Sequence, residues 1–334
     1  MPRWRTDAPP GGNLYAQPEF IDVLGEVFHP GHACRPADVA VGREVYRLPW
    51  IEGRGPVPDI TFVDYHEPVG RLNPAAGWSL RPGDTRGQRL HRLPRLHPAS
   101  RGLVALDDWR AQARGEALGA PVVLWRGFTR WEDYLTLLRT RRVLAEDQRR
   151  RRRLEALAGP LRFAVDDLGS DVLPTCFDWK SARDRAADRA ELFASEAPRR
   201  FFGALRARGL LRASTLRAGD GQLLSVWLGA LHAERWTGWV FAFNPDPALA
   251  RFSPGRQLLY TMLEESWRAG HHEFDFSIGL EPYKLSFATH VRVLGTAGRP
   301  PAGERLAALA HRLLAHRPGL LQALRGLRRR VRIS

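Results

Sequence analysis

The segment from Leu211 to Gly279 constrains the fold of this chain more than any other, because it is a fixed succession of periodicities. LRASTLRAGDGQLLSVWLGALHAERWTGWVFAFN reads as three consecutive strands, turned at Gly219-Asp220-Gly221 and near Ala233-Glu234-Arg235. Strands joined by turns this short run antiparallel. The Pro-rich NPDPALARFSPG then leads to a helix from about Gly255 to Ala269, whose apolar residues Leu258, Leu259, Met262 and Leu263 recur at helical spacing. Gly270 ends that helix, and HEFDFSIG reads as the next strand. A meander followed by a helix and a strand is an α+β pattern.

The preceding residues supply more of the same alternation. ADVAVGREVYRLPWI alternates around a Gly-Arg turn, and DITFVDY reads as a strand after a Pro/Gly-rich loop. Residues 66–101 are rich in Pro, Gly, Arg and His and predict an irregular loop. LDDWRAQARGEAL predicts a helix capped by Asp107 or Asp108, and PVVLWRGF a strand. Thr129 to Leu157 predicts one long helix, with Thr129 as N-cap and Glu132 completing a capping box, ended by Gly159-Pro160. LRFAVDD predicts a strand, and residues 178–208 predict two helices separated near Pro198. Residues 1–14 are expected to be a loose arm.

Charge narrows the partners. The chain of 334 residues carries 51 Lys+Arg against 36 Asp+Glu, a net +15, which favours phosphates, nucleic acid or an acidic membrane surface. Only Lys180 and Lys284 are lysines, so part of the basicity reflects a bias towards arginine. The two cysteines, Cys34 and Cys176, exclude a disulfide-rich scaffold and a four-cysteine zinc site. No stretch resembles a secretory signal or a bilayer span, so a cytoplasmic location is expected. HPGHAC places His29, His32 and Cys34 in one loop, too few ligands for zinc without a distant fourth, and no metal is expected.

Two clusters carry candidate chemistry. In FSPGRQLL a loop becomes a helix. Unsatisfied N–H groups at the helix start, Pro254 near that start, close approach over Gly255 and the charge of Arg256 make Ser253, Gly255, Arg256, Gln257 and Leu258 a candidate pyrophosphate cradle. The same run also caps helices that bind nothing. Directly after the helix comes EFDFSIGLEPYK. Asp275 and Ser277 share one strand face, and Lys284 is retained where arginine is the default. Lys284 either makes a specific contact or forms a salt bridge to Asp275 or Glu281 that only shapes the turn.

The run DFSIGLEPYKLSFA resembles the D-F-x-x-G-x-E-P-Y-K signature of GNAT-type acyltransferases linked to bacterial cellulose and exopolysaccharide biosynthesis. FSPGRQLLYTMLEESWRAG and RGFTRWEDYLTLLRTRRVLAEDQRRRRRLEALAGPLRF are similar to the same family's loop-helix and middle segments, so the resemblance covers about residues 120–296. The usual R/Q-x-x-G-x-G/A loop of GNAT enzymes is present only in degenerate form, and the first lobe is shortened. The resemblance implies two tandem GNAT-like lobes with mixed, mostly antiparallel sheets flanked by helices. It divides the chain into an arm over 1–14, lobes over 15–157 and 158–300, and a terminal segment 301–334. It further implies acyl transfer from acetyl-CoA or another acyl-CoA to an amine or hydroxyl, on a small molecule, sugar or envelope precursor. Tyr283 is then the acid, Asp275 or Glu281 orients or deprotonates the acceptor, Lys284 completes the set, and backbone N–H groups of a split strand polarise the carbonyl.

The Y-K-x-x-F tail is also similar to Fem-type ligases, tandem GNAT-like proteins that move an amino acid from aminoacyl-tRNA to a peptide or peptidoglycan precursor. The net charge and the run Arg149 to Arg153 suit that alternative. A catalytically silent scaffold with the same fold is a third. More often, such an arginine run is the solvated face of a helix. Residues 304–334 form a basic amphipathic pattern, with Leu320, Leu324, Leu327 and Val331 among arginines, suited to an anionic membrane at its inner face or to packing on the first lobe. His271 and His272 close a helix. Trp179 and Lys180 either line an acceptor pocket or belong to ordinary surface and core.

Overall fold

The computed structural model describes residues 14–41, 44–53, 55–56, 62–71, 92–96, 102–112 and 118–298. The expected arm, most of the 66–101 loop and the whole 304–334 segment lie outside the described residues.

Helix α1 (Pro18–Phe28) buries Phe20, Ile21, Val23 and Leu24. It packs on a hairpin of β1 (Cys34–Val41) and β2 (Glu44–Ile51), paired from Cys34↔Ile51 to Val41↔Glu44, as the alternation predicts. β3 (Gly55–Pro56) and β4 (Pro68–Arg71) extend this sheet along β2. The expected strand DITFVDY is not one where it is described. Residues 62–65 are irregular, and they turn Asp64 and Tyr65 inward.

β5 (Arg92–Leu96) is followed by β6 (Leu103–Ala105), α2 (Leu106–Gln112) and β7 (Gly119–Leu124). The single helix expected over 129–157 is two, α3 (Trp131–Thr140) and α4 (Leu144–Ala158). The break is at Arg142, whose φ of 58° no helix accommodates. At the start of α3 the reciprocal cap is made by Asp133, which accepts from the Arg130 N–H at 3.3 Å; Thr129 and Glu132 do not form the expected box. β8 (Arg162–Ala164) precedes α5 (Val172–Ala186) and α6 (Glu196–Ala207). Pro198 does not separate these helices. It sits in the first turn of α6, where a missing N–H costs nothing.

The meander follows as β9 (Arg212–Arg217), β10 (Leu223–His232) and β11 (Arg235–Phe243). Then come α7 (Pro247–Ala250), α8 (Pro254–Arg268), β12 (Glu273–Asp275), α9 (Pro282–Phe287), β13 (His290–Val293) and β14 (Gly295–Gly298), which pairs with β5. The main sheet has the order β6-β13-β7-β12-β11-β10-β9-β8, antiparallel except between β11 and β12. It draws strands from both sides of position 157, so one sheet spans the two expected lobes.

Each face of this sheet carries its own apolar cluster. Val226, Leu228, Ala230 and Val240 pack with α1, α5 and α6 on one face. Leu224, Trp227, Trp236, Phe274 and Phe276 pack with α3, α4 and α8 on the other. The register between β10 and β11 slips once, from Leu228↔Val240 to Gly229↔Gly238, leaving Trp239 as an extra residue. Glycine is required on both strands here. A Cβ on Gly229 would lie 2.1 Å from the Thr237 carbonyl oxygen, and one on Gly238 would lie 2.2 Å from the Trp227 indole nitrogen. Such a bulge adds twist and bends the strand that carries it.

Candidate active site at the split between two parallel strands

β11 and β12 pair over only three positions, Arg235↔Glu273, Trp236↔Phe274 and Thr237↔Asp275. Beyond them the strands part. β11 is bulged at Trp239 and runs on to Phe243 with an edge that no strand covers among the described residues. β12 stops because Asp275 Oδ1 accepts the Ser277 N–H at 2.7 Å, closing a turn with Ser277 at φ 65°. Parallel strands that separate after a bulge leave backbone groups facing an opening, which suits recognition of a carbonyl.

On the α1/α5 side, the apex of the split is a buried polar network. Arg292, 1% exposed, donates to Glu273 at 2.8 and 3.0 Å, to Asp275 at 3.1 Å and to Glu67 at 3.1 Å. Arg235 binds Glu67 at 2.6 Å and ion-pairs with Glu273 at 2.9 Å. Tyr65 donates to Asp275, Ser277 Oγ donates to Asp64, and Tyr15 links Asp64 at 2.7 Å to the bulged Trp239, whose indole donates to the Tyr15 oxygen at 2.6 Å. Burial raises the Asp275 pKa and the charge of Glu273 adds to this, with Arg292 opposing. Burial pushes Glu273 the same way, but Arg235 and Arg292 together hold its carboxyl below the usual value.

On the α8 side sit the other candidates. Tyr283, in the first turn of α9, packs edge-on against Phe241 with ring centroids 5.5 Å apart. Burial raises its pKa, Glu281 adds to the rise, and Arg183 opposes it, so the phenol keeps its proton at neutral pH. Lys284 is 6% exposed. Its ammonium donates to the Ile278 carbonyl at 2.8 Å and lies 3.0 Å from the Glu281 carboxylate, which is half exposed. Of the two sequence readings of Lys284, this geometry is the clamp that shapes the turn, with Glu281 as the partner. Glu281 in turn lies over Gly279, whose φ of 114° and absent Cβ make room for it.

The four expected catalytic residues therefore do not share one hollow. Tyr283, Glu281 and Lys284 cluster at α9, while Asp275 projects from the opposite face of the sheet. Phe274 and Phe276, its neighbours in a strand of alternating side chains, point towards α8. Asp275 has no exposed surface and holds Ser277, Tyr65 and Arg292, which makes it a positioning residue for the split.

The expected cofactor residues are found at the start of α8, and their polar groups are already engaged. Arg256 Nε lies 3.0 Å from both carboxylate oxygens of Asp147 on α4, and its Nη2 donates to the same group. Burial pulls the Arg256 pKa down, and Asp147 more than restores it. Tyr260 donates to Asp147 at 3.0 Å, and the Gln257 amide donates to the Asp147 carbonyl at 3.1 Å. Asp147 itself is 3% exposed. Ser253, in the left-handed region at φ 55°, accepts a hydrogen bond from Arg150 at 3.0 Å. Gly255 faces the Phe241 ring, 3.4 Å from where a Cβ would be, and Leu258 is core. An internal carboxylate thus takes the guanidinium that the cradle reading reserves for a phosphate.

Two residues that sequence reasoning missed complete the site. One is Asp147, an acid set in the buried stripe Leu144-Asp147-Leu154 of an arginine-rich helix. The other is Arg183 on α5. Its guanidinium lies 4.5 Å above the Phe241 ring and 5.8 Å from Phe243, and donates at 3.2 Å to the Phe241 carbonyl on the open edge of β11. No carboxylate lies within ion-pairing distance of it among the described residues, because the adjacent Asp184 is taken by Lys180. Its place one helical stripe on from Cys176 and Lys180 is the signal that could have found it. Arg183 reaches the split from one side of the sheet and Tyr283 from the other, with Phe241 between them.

The remaining candidates stay outside this site. His29, His32 and Cys34 line an open cleft of about 430 Å³ with Asp22 and Glu26, and no group of described residues there or elsewhere has the arrangement to hold a metal ion. His271 closes α8 against Ser266 Oγ at 3.1 Å, and burial lowers its pKa. Trp179 packs against the α1/α5 cluster. No described helix is long and apolar enough to cross a membrane.

A scan against family models matches residues 141–285 to the acetyltransferase (GNAT) domain. A search of curated proteins finds no match. Among solved structures, the chain is similar to the crystal structure of FemX, at 11% identity and a TM-score of 0.53, covering 87% of this chain and 93% of that one. L-PGS from Bacillus licheniformis is matched at 10% identity and a TM-score of 0.48, over 91% of this chain and 98% of that one. The C-terminal domain (DUF2156) of a putative lysylphosphatidylglycerol synthetase from Agrobacterium fabrum is matched at 14% identity and 0.46, over 89% and 96%. The likeness to FemX bears out the expected α+β fold with mixed sheets flanked by helices. Residues 141–285 are thus similar to the acetyltransferase (GNAT) domain, within a fold similar to that of FemX.

Proposed function

We propose that this protein transfers an aminoacyl group from an aminoacyl-tRNA to an amine or hydroxyl acceptor, with the reaction at the β11–β12 split. The single observation that carries this choice of donor is Asp147. An acyl-CoA reading needs Arg256 and the first turn of α8 for a pyrophosphate, and there the buried Asp147 carboxylate already pairs with Arg256 and accepts from Tyr260, while the Gln257 amide donates to the Asp147 backbone carbonyl. Bringing a second anion to that place puts it against the Asp147 charge. A tRNA ester makes no such demand, and the net charge of +15 suits a polyanion. The Fem-like fold and the Y-K-x-x-F tail support the same reading.

The chemistry follows from the residues at the opening. A neutral acceptor nitrogen or hydroxyl attacks the ester carbonyl, forming the new C–N or C–O bond. The carbonyl oxygen takes up charge beside the free edge of β11 and the Arg183 guanidinium. As the bond to the ribose oxygen breaks, that oxygen needs a proton, because an alkoxide is a poor leaving group. Tyr283 is protonated at neutral pH, donates that proton and recovers one from the acceptor. We further propose that the acceptor belongs to an envelope or exopolysaccharide precursor, in line with the DFSIGLEPYK resemblance.

The second reading keeps acyl-CoA as donor, and the domain match over residues 141–285 favours it. A thermal-shift comparison of acetyl-CoA, longer acyl-CoAs and aminoacyl-tRNA separates the two, since a ligand that binds only the native state raises the midpoint. We expect a shift with aminoacyl-tRNA and none with acetyl-CoA. A saturable shift with acetyl-CoA that is lost in Arg256→Gln reverses the assignment of the donor.

A further inference from the structure

Where the donor RNA lies, granted the aminoacyl-tRNA reading on which this rests, turns on α4. α4 has two unlike faces. Leu144, Asp147 and Leu154 are buried against the body of the protein, and Asp147 fastens the helix to α8. Arg149, Arg152 and Arg153 are exposed on the opposite side, three or four residues apart and so neighbours on the helix surface. Arg149 shares an exposed pair with Glu146, while Arg152 and Arg153 have no carboxylate within ion-pairing distance among the described residues. Like charges at this spacing repel one another and weaken the helix. A polyanion lying along the ridge relieves that repulsion.

The ridge also leads to the right place. Arg150, between Arg149 and Arg151, reaches Ser253 Oγ at 3.0 Å, at the N-cap of α8, whose first turn faces Phe241 on the open part of β11. Arg251, two residues before that cap, is exposed and stacks on Phe252 with its guanidinium 4.7 Å from the ring. We infer that the exposed arginine ridge of α4, continued by Arg251, is the surface on which the ribose-phosphate backbone of the donor RNA lies. The planar fork of arginine pairs with phosphate oxygens through two parallel hydrogen bonds. A membrane surface is the less suitable partner. A helix that binds bilayers needs apolar side chains beside its basic ones, and the large apolar side chain exposed on α4 is Leu157, at the far end.

The test uses the full chain and bulk deacylated bacterial tRNA, titrated at several salt concentrations. The triple variant Arg149→Gln/Arg152→Gln/Arg153→Gln keeps good helix formers on a solvent face, and its thermal midpoint checks that it folds. Loss of two or three phosphate contacts is expected to flatten the slope of log affinity against log salt by about 2, and to weaken binding about tenfold or more at low salt. The control triple Arg35→Gln/Arg189→Gln/Arg200→Gln removes as many exposed charges elsewhere and is expected to keep the wild-type slope. Wild-type affinity and slope in the α4 triple overturn the inference and leave the donor reading intact. Wild-type protein that binds acetyl-CoA but no tRNA overturns the donor reading itself. Wild-type binding to phosphatidylglycerol vesicles that the α4 triple loses, with tRNA binding unchanged, assigns the ridge to a membrane and also overturns the inference.

Discussion

The two faces of the β11–β12 split are built from opposite materials. On the α1/α5 face, Arg235 and Arg292 are buried and each touches at least two carboxylates. On the α8 face, Phe241 and Tyr283 supply aromatic surface, and the cation that reaches over Phe241 from α5, Arg183, is held by rings and a backbone carbonyl. A buried cation ringed by carboxylates has its electrostatic work complete within the protein, so that face shapes the split. A half-buried guanidinium without a carboxylate has donors to spare, so the opening between Arg183 and Tyr283 has capacity for a ligand.

The comparison breaks most sharply on stability. Arg292→Met removes the cation that Glu67, Glu273 and Asp275 share and leaves their charges buried. Breaking a buried ion pair from one side costs about 3–5 kcal/mol. Urea denaturation is expected to register a loss of that size, and a variant as stable as wild type would mean the network is not charged as drawn. Tyr283→Phe deletes one hydroxyl on the other face and is expected to leave the denaturation midpoint nearly unmoved. Turnover is expected to fall about 100-fold, typical of a lost general acid, with KM for the donor little changed. A parallel rise in KM would move Tyr283 from proton transfer to binding. Arg183→Lys is a finer cut. It keeps the charge but loses the planar fork, so an increase in KM of about tenfold is expected, with stability within about 1 kcal/mol of wild type.

The α8 face was the more legible of the two in the sequence. The meander, the Pro254 helix start and the E-P-Y-K run are local patterns, and local patterns fix local structure. The α1/α5 face was not legible, because it is assembled from Tyr15, Asp64, Tyr65 and Glu67 meeting Glu273, Asp275 and Arg292 from the far end of the chain. No periodicity marks a pairing between residues some 200 positions apart. The same blindness hid Asp147. In the sequence its partner Arg256 looks free for a phosphate, since nothing within the α8 segment reveals that α4 packs across it. The break at Arg142, which swings α4 onto α8, was equally invisible, for arginine carries no sequence signal of a positive φ.

The smallest expected effect tests whether the two carboxylates at the apex of the split titrate in opposite senses. Glu273 has its folded-state pKa lowered, so its contribution to stability is present above the unfolded value of 4.5 and is lost as pH falls through the folded value. Asp275 has its pKa raised above 3.8. Its contribution is full below that value and is lost as pH rises through the folded value. In the wild type the two slopes oppose one another across mildly acidic pH and partly cancel. Asp275→Asn removes the descending slope and keeps a side-chain oxygen that can accept the Ser277 N–H. The variant's stability, measured by urea denaturation between pH 4 and 7, is therefore expected to climb more steeply with pH than that of the wild type. An unchanged slope would mean that Asp275 stays ionised throughout this range, held by Arg292 against the burial that pushes it towards the neutral form.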